Sequence, residues 1–326
     1  MHKLTFYNQV KRIIDKYKLK ITDELRLGIR YYIAEAKMGK QKIIFKINLQ
    51  NRSDNLEAKQ NYTQLKREID FLDFIKKSEN KFLINVLPDI LYSNIDKNRV
   101  WYIKKYADGQ IQSYKDSAFL FRQSFFNKKN IKWLINFINN FEKISKNKKV
   151  KRLKNLYQLT LLDYKNFVAK PNEKMNKIYF PNFDVSSAVD KFLKIREKKF
   201  NQKQNVLCHF EPYAAHFIKQ KNGFCVIDWE NIGYGNIAHD ISIIWNRAFL
   251  NPDWQKTLLS ELNKNLKNNN FQELFEIEIL IQSLGNLIFW HYNKNQNEMP
   301  FRKKYINFAK NNISDILNHK FTHKNF

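Results

Sequence analysis

Glycine and cysteine are scarce in this chain. Only 7 of its 326 residues are glycine, whereas average proteins contain about 7%. This scarcity argues against Gly-rich linkers, a collagen-like repeat and any mechanism that needs several glycines in one loop. The two cysteines, Cys208 and Cys225, exclude a disulfide framework in a chain of this length and favour reduced thiols in a cytoplasm.

Long hydrophobic runs are also missing. Residues 1–6 lack the continuous apolar core of a signal peptide, which requires an uninterrupted apolar stretch behind a basic start. No apolar run approaches the ~20 residues that a membrane span needs. We therefore predict a cytoplasmic protein without a transmembrane segment.

Acidic residues are few: the chain has 31 Asp and Glu residues but 58 Lys and Arg residues, which gives a net charge of +27. Such an excess fits an acidic partner such as nucleic acid, an anionic membrane surface or a phosphorylated ligand. Basic residues are dense at 143–154 and 194–203, where phosphates of nucleic acid or lipid are candidate ligands. Lys, Asn and Ile are abundant throughout, however, so compositional bias is the favoured explanation. Binding of nucleic acid or an anionic surface stays open.

The hydrophobic fraction of 43% is sufficient for a large core, and the length favours two lobes. Residues 1–20 have the spacing of an amphipathic helix. Four strands are predicted within 29–36, 42–47, 86–92 and 100–103, all rich in β-branched or aromatic residues. These elements predict a small unit of helices around an antiparallel sheet.

The pattern changes after residue 109. Helical periodicity dominates 117–145, 150–168 and 238–325, and Asp184 is a plausible N-cap for a further helix. Two short strands, 205–208 and 224–227, interrupt the helices. We predict an α+β protein with an antiparallel-sheet N-terminal lobe at 1–107 and a mainly helical C-terminal lobe at 108–326.

Chemistry is concentrated in residues 206–240. A short apolar strand ends in His209, and the polar loop that follows contains Glu211 and His216. A second short strand then leads to Asp228. Carboxylates at the ends of neighbouring strands can converge on one point. Phosphoryl transfer requires one carboxylate to orient the acceptor hydroxyl and another to hold a metal on the nucleotide phosphates.

These residues resemble the motifs of the aminoglycoside phosphotransferase and choline kinase family. The family pattern is His-x-Asp-x-x-x-x-Asn, a hairpin, apolar-Ile-Asp-Trp/Phe-Glu, a Gly-rich turn and a further Asp. Here His209, Glu211 and His216 stand at matching spacing. The second and third parts are matched by 227–230 and 233–240. The resemblance covers about residues 20–300.

The resemblance implies a bilobal protein-kinase-like fold with a five-stranded antiparallel sheet in the first lobe. It also implies ATP- or GTP-dependent phosphorylation of a small-molecule hydroxyl, on a sugar, amino alcohol or similar metabolite. It assigns Asp228 and His216 as ligands of Mg²⁺ or Mn²⁺. It assigns Glu211 as the catalytic carboxylate that orients the acceptor hydroxyl. His209 belongs to the same catalytic loop and is expected to brace it. Asp240 is expected to accept hydrogen bonds from that loop or to cap the next helix.

The resemblance also assigns nucleotide-binding residues in the first lobe. Lys46 is placed where the family keeps its phosphate-binding lysine. Glu68 suits the helical ion-pair partner of that lysine, with Glu57 as a competitor. Tyr102 and Lys104 lie in the segment that looks like the hinge, where backbone groups would meet a purine base.

Two positions depart from the family pattern. Glu211 replaces an Asp and adds one methylene, and a misplacement of ~1 Å can cost on the order of 100-fold in rate. His216 replaces an Asn, although Mg²⁺ prefers oxygen ligands and imidazole suits Zn²⁺, Mn²⁺ or Fe²⁺. The alternative function is therefore a catalytically inactive kinase-like scaffold or binding protein that contacts an acidic partner through residues 143–154.

The acceptor pocket of this family lies on the helical lobe. Aromatic and charged candidates for it are Trp245, Arg247, Trp254, Glu273, Glu276, Trp290 and Tyr292. Aromatic rings with acids would suit a cationic ligand, and core packing explains the same aromatics equally well. Because the chain carries a net +27, a polycationic antibiotic is a poor default substrate.

Overall fold

The computed structural model describes residues 2–27, 30–115, 117–150, 153, 155–165, 177–266 and 270–321. The chain divides into two compact units. The first comprises Met1–Gly109, Lys151–Asn155 and Phe224–Ile232, and the second comprises Gln110–Val150, Leu156–Gly223 and Gly233–Phe326. The segment that contains Asp228 thus groups with the N-terminal residues, and the boundary at 107/108 stays a prediction.

The first unit contains a five-stranded antiparallel sheet in the order β1-β2-β3-β5-β4. Its strands are β1 (Leu19–Leu27), β2 (Tyr31–Met38), β3 (Gln41–Asn48), β4 (Ile90–Ile95) and β5 (Val100–Lys105). Successive side chains of a strand point to opposite faces of the sheet. The fully buried Ile43, Phe45 and Ile47 of β3 therefore lie on one face. Lys46 therefore projects from the other face.

Helices of the first unit are α1 (His2–Tyr17), α2 (Leu56–Lys76) and α3 (Lys81–Val86). Phe6, Val10 and Ile13 of α1 share a core cluster with the apolar face of β3, which confirms the amphipathic helix at the N-terminus. The α2 helix begins at Asn55, whose side chain accepts a hydrogen bond from the Ala58 amide at 2.8 Å. Such a cap satisfies one of the unpaired amides of the first turn.

The second unit is mainly helical. Its longer described helices are α4 (Lys128–Ser145), α5 (Val185–Gln202), α6 (His239–Arg247), α7 (Pro252–Asn265), α8 (Phe271–Tyr292) and α9 (Arg302–Leu317). Asp184 caps α5 by accepting from the Ser187 amide at 3.1 Å, as predicted. No described helix is both long and apolar enough to cross a bilayer.

Short strands accompany these helices. They are β6 (Gln110–Ile111), β7 (Tyr157–Gln158), β8 (Val206–Cys208), β9 (Phe217–Gln220), β10 (Gly223–Val226) and β11 (Gly233–Gly235). In the second unit β11 pairs with β7 in parallel and with β8 antiparallel, and β6 pairs antiparallel with β9. The predicted α+β class, with an antiparallel sheet first and helices after it, is confirmed.

Several predicted boundaries in the first unit are wrong. The strand expected at 86–92 begins only at Ile90, because Asn80 accepts from the Leu83 amide and starts a helix that ends at Val86. The expected number of five strands is confirmed, but the position of β1 was not predicted, because charged residues dilute its alternation. The strand predicted at 29–36 begins at Tyr31, and residue 29 lies outside the described residues.

Helix boundaries in the second unit also differ. The helix predicted over 117–145 begins at Lys128, where Asn127 accepts a hydrogen bond from the Asn130 amide. Among the described residues of the predicted helix 150–168, residues 157–158 form a strand and 161–165 are α-helical. Residues 151, 152, 154 and 166–168 of that prediction lie outside the described residues.

Gly223 opens β10 at a φ of +142°, and a Cβ there would lie 2.4 Å from Nε1 of Trp133. The Trp133 indole is buried and stacked on Phe137 at 5.1 Å, so it cannot yield easily. We expect Gly223→Ala to reduce the free energy of unfolding by about 3 kcal/mol, from backbone strain and overpacking.

Gly39→Ala is the matched control for this prediction. Gly39 also has a positive φ, +62°, but a Cβ added there would meet nothing within 4 Å, so a loss of only about 1 kcal/mol is expected. Urea unfolding of both variants measures the difference. Equal losses would show that the Trp133 contact contributes nothing.

Candidate active site

Lys46 is the centre of a buried charge cluster in the first unit. Its Nζ lies 2.8 Å from Glu230 Oε2, 3.1 Å from Asp228 Oδ1 and 3.3 Å from Glu68 Oε2. The ammonium also lies 4.5 Å from the centroid of the Tyr31 ring. Lys46 is only 4% exposed and Glu68 is fully buried, so these interactions take place largely out of water.

Three elements bring these side chains together. Lys46 extends from β3 on the face opposite the apolar residues, and Glu68 is on the buried side of α2. Asp228 and Glu230 follow β10 in a turn held by Trp229, whose indole donates to the Val226 carbonyl at 2.7 Å. Trp229 is fully buried and packs 5.1 Å from Phe71. The tryptophan therefore anchors the turn, and the carboxylates on either side of it reach Lys46.

Asp228 has a left-handed backbone with a φ of +68°. Asp is one of the few residues that tolerate this region with modest strain. Such backbone conformations cluster at functional sites, where the surrounding structure enforces them. Asp228 is also the most accessible member of the cluster, with a side chain 35% exposed.

The electrostatics keep Lys46 charged. Burial lowers the pKa of Lys46, but Asp228, Glu68, Tyr102 and Glu230 raise it, and the net pKa lies well above its ordinary value. Burial, with the same carboxylates nearby, also raises the pKa of Tyr102. The site therefore holds an ammonium among carboxylates, beside a neutral phenol.

Three carboxylates of this cluster have the donor set of a metal site. Oxygens of Glu68, Asp228 and Glu230 lie within 4.8 Å of one another. Carboxylate oxygen is the ligand that Mg²⁺ and similar hard cations prefer. Glu230 was not among the predicted site residues, although it is the last residue of the Ile-Asp-Trp-Glu motif and so could have been recognised from the sequence.

Tyr102 and Lys104 lie beside the cluster. Tyr102 pairs with Lys46 in the β3–β5 register and is fully buried. Lys104 Nζ is 3.6 Å from Glu68 Oε1. Their side chains thus surround the Lys46–Glu68 pair, and the purine-binding role of this segment stays a prediction. Glu57, the competing partner, is exposed in the first turn of α2.

The second unit carries the other predicted site residues in one loop after β8. Asp240 accepts hydrogen bonds from the amides of His209, at 2.6 Å, and Phe210, at 3.0 Å, as expected of a brace. His209 is fully buried. Phe210 has a φ of +69°, so the Asp240 carboxylate holds the loop at a strained residue immediately before Glu211.

Glu211 and His216 are tied together within this loop. His216 Nδ1 lies 2.7 Å from the Glu211 carbonyl oxygen, and the Tyr213 amide donates to the same oxygen at 2.7 Å. The His209 and His216 rings lie 5.5 Å apart at 30°. Because a carbonyl only accepts, the His216 proton is on Nδ1, and a metal would have to bind through Nε2.

The family comparison agrees with this arrangement. Residues 167–272 match the phosphotransferase enzyme family, a range that includes both Glu211 and Asp228. The match confirms the resemblance indicated by the motifs and the prediction of a phosphotransferase. No curated protein sequence is significantly similar to the chain.

Solved structures share the fold at low identity. A spectinomycin phosphotransferase in complex with ADP and spectinomycin is 11% identical, with a TM-score of 0.56 over 96% of this chain and 98% of that chain. A microcompartment-associated aminopropanol kinase is 10% identical, with a TM-score of 0.58 and the same coverage. Choline kinase LicA from Streptococcus pneumoniae is 14% identical, with a TM-score of 0.58 over 94% and 99%. The predicted kinase-like fold is thus confirmed.

Lys46→Met should destabilise the protein strongly. It leaves three nearby carboxylates without their shared cation, and removal of one partner from a buried ion pair costs about 3–5 kcal/mol. Lys105→Met is the control, since Lys105 is half-exposed and pairs with Asp89 at 2.6 Å, a surface arrangement worth at most about 1 kcal/mol. Chemical denaturation measures both. A Lys46 variant as stable as the control would contradict the central role of this cluster.

Proposed function

We propose that this protein transfers the terminal phosphoryl group of ATP or GTP to a hydroxyl of a small molecule. The observation that carries the proposal is the buried contact of Lys46 with Glu68 and Asp228. Phosphoryl transfer depends mainly on positioning and on electrostatic stabilisation of the phosphates. A lysine fixed by a helical glutamate, next to an accessible aspartate, supplies both.

In the first unit, Lys46 would bind the nucleotide phosphates and Glu68 would fix its position. Asp228, with Glu230 beside it, would hold Mg²⁺ or Mn²⁺. When bound, the metal neutralises charge on the transferring phosphoryl group. Tyr102 and Lys104 would belong to the segment that meets the purine base.

In the second unit, Glu211 would accept the proton of the acceptor hydroxyl. The hydroxyl oxygen then forms a bond to the terminal phosphorus while the bond from that phosphorus to the nucleotide diphosphate breaks. His209 acts as a brace, since its Nδ1 accepts from the Glu211 amide at 3.3 Å. His216 is proposed as a metal ligand through Nε2. Its Nδ1 contact with a carbonyl supports this role, because metal-binding histidines commonly donate their other N–H in this way.

A small acceptor is supported by what the structural relatives are named for: spectinomycin, aminopropanol and choline. The net charge of +27 disfavours a polycation among such substrates. The inactive scaffold would instead need the basic stretch at 143–154 as a docking surface. No described contact favours it: Lys146 pairs with Glu142 at 2.9 Å, as on an ordinary helix surface.

Nucleotide–metal titration tests the first half of this proposal. ATP or GTP with Mg²⁺ or Mn²⁺ should raise the melting temperature, because a ligand at 100 times its Kd stabilises the folded state by about 2.7 kcal/mol. Asp228→Asn should abolish the metal-dependent part of the shift. Asp89→Asn, at a surface ion pair with Lys105, is the control. If none of the four nucleotide–metal combinations changes the melting temperature, the proposed phosphotransferase activity is refuted and the inactive scaffold remains.

Glu211→Gln tests the catalytic half. A positioned general base contributes about 10²–10⁴-fold to rate, so kcat should fall by that factor while the nucleotide-dependent melting shift is retained. Release of ADP or GDP in a coupled assay measures the rate. The double variant Glu211→Asp/His216→Asn should lose activity if the loop is adapted to its own residues. Unchanged turnover in Glu211→Gln would remove Glu211 from the chemistry.

A further inference from the structure

Arg247, the last residue of α6, lies among aromatic rings in the second unit. Its guanidinium carbon is 4.8 Å from the ring centroid of Phe119, 5.7 Å from Phe289 and 5.9 Å from both Tyr213 and Tyr305. Arg247 is 6% exposed. A cation of the protein itself therefore occupies this cluster of rings, which removes it as a site for a cationic ligand.

The guanidinium is short of hydrogen-bond acceptors. Nη2 donates to Asn286 Oδ1 at 2.8 Å. Nε and Nη1 are buried and no described residue accepts from them. Arginine carries five N–H donors in a planar fork that matches the oxygens of carboxylate and phosphate. Aromatic faces attract the charge but cannot accept these in-plane hydrogen bonds as an oxyanion does.

A buried cation without a counter-ion is costly, because each desolvated charge carries a penalty of several kcal/mol. Glu273, one of the acids predicted for an acceptor pocket, does not offset it. Glu273 pairs instead with Lys199 and Arg196. Trp245, Trp254 and Trp290 are buried, as core packing would require. An anion from outside the protein would supply the missing acceptors.

The cluster adjoins the loop of Glu211. Tyr213 lies two residues after Glu211, and its amide donates to the Glu211 carbonyl. Burial and the Glu211 charge raise the pKa of Tyr213, whereas Arg247 opposes the shift. Glu211 and Arg247 thus act on one phenol. Phe119, Tyr213 and Phe289 are all partly exposed, so the guanidinium lies just below the surface of the unit.

We propose that Arg247 anchors an oxyanion subsite for the acceptor. The substrate class is then a small hydroxylated molecule that also carries a carboxylate or phosphate group, because an amino alcohol or aminoglycoside without such a group would leave the Arg247 donors unpaired. This inference rests on the proposed phosphotransferase function. Arg247 binds the anionic group, and Glu211 accepts the proton of the hydroxyl on the same molecule.

The binding test compares sodium acetate, sodium phosphate and sodium chloride at equal ionic strength by thermal unfolding of the full chain. At least one of acetate and phosphate should raise the melting temperature above chloride, and the stronger one identifies the group. Arg247→Met, which keeps the apolar stem, should lose this difference. Arg196→Met is the control: its guanidinium stacks 3.7 Å from the Phe192 ring but has Glu273 as a partner, so it should keep the response.

The activity test measures acceptor-dependent ADP or GDP release with hydroxy acids, sugar phosphates, neutral sugars and amino alcohols. Anionic acceptors should be preferred. Loss of one or two charge-assisted hydrogen bonds should raise their KM about 10- to 100-fold in Arg247→Met, with the nucleotide KM unchanged. If Arg247→Met does not fold, Arg247→Lys keeps the charge without the fork and should show a smaller rise in acceptor KM.

The outcomes separate this inference from the function on which it rests. Turnover of a neutral or cationic acceptor that does not respond to Arg247 substitution would overturn the inference and leave the phosphotransferase intact. An Arg247-dependent response to acetate or phosphate, without turnover of any acceptor, would support the subsite and refute the activity. No response to either anion in the unmodified protein would also overturn the inference.

Discussion

The interaction on which the first unit depends is the contact of one buried ammonium with three carboxylates. Lys46, Glu68, Asp228 and Glu230 come from a strand, a helix and a distant turn, and the burial of Lys46, Glu68 and Glu230 makes an unpaired charge at any of these three costly. The sheet, α2 and the Trp229-anchored turn must all be formed for this balance to exist. The cluster therefore couples the tertiary structure of the unit to the residues proposed to bind phosphate and metal.

The loop of the second unit is organised by a different device. Here the Asp240 carboxylate receives two consecutive amides and holds Phe210 in a left-handed conformation. Glu211 follows at once, and its carbonyl fixes the His216 ring. Hydrogen bonds to backbone groups, rather than ion pairs, thus determine the geometry of this loop. The backbone of Glu211 and the ring of His216, the two residues that depart from the family pattern, are thus fixed by hydrogen bonds within the loop.

Charge is used differently in the two units. The lysine of the first unit has more carboxylates than it needs, which suits a site where a metal and phosphates exchange partners with it. The arginine of the second unit has rings around it and one amide oxygen at hydrogen-bond distance. The excess of carboxylates around Lys46 fits the proposed metal and nucleotide site. The unpaired N–H donors of Arg247 fit the proposed anionic substrate. The overall charge of +27 does not distinguish these local environments.

Residue order by itself determined the fold class, the Ile-Asp-Trp-Glu motif and the Asp184 cap, whereas the choice of Glu68 over Glu57 as the partner of Lys46 needed the tertiary structure. The first three follow from local periodicity, short hydrogen bonds and motif spacing, all of which can be read over a few residues. The start of β4 and the position of β1 were not predicted, because capping at Asn80 and diluted alternation compete with simple patterns. Only the tertiary structure placed Arg247 among aromatic rings and buried Trp245 and Trp290 in the core. Burial and the supply of hydrogen-bond partners depend on residues far apart in sequence, so no local pattern contains them.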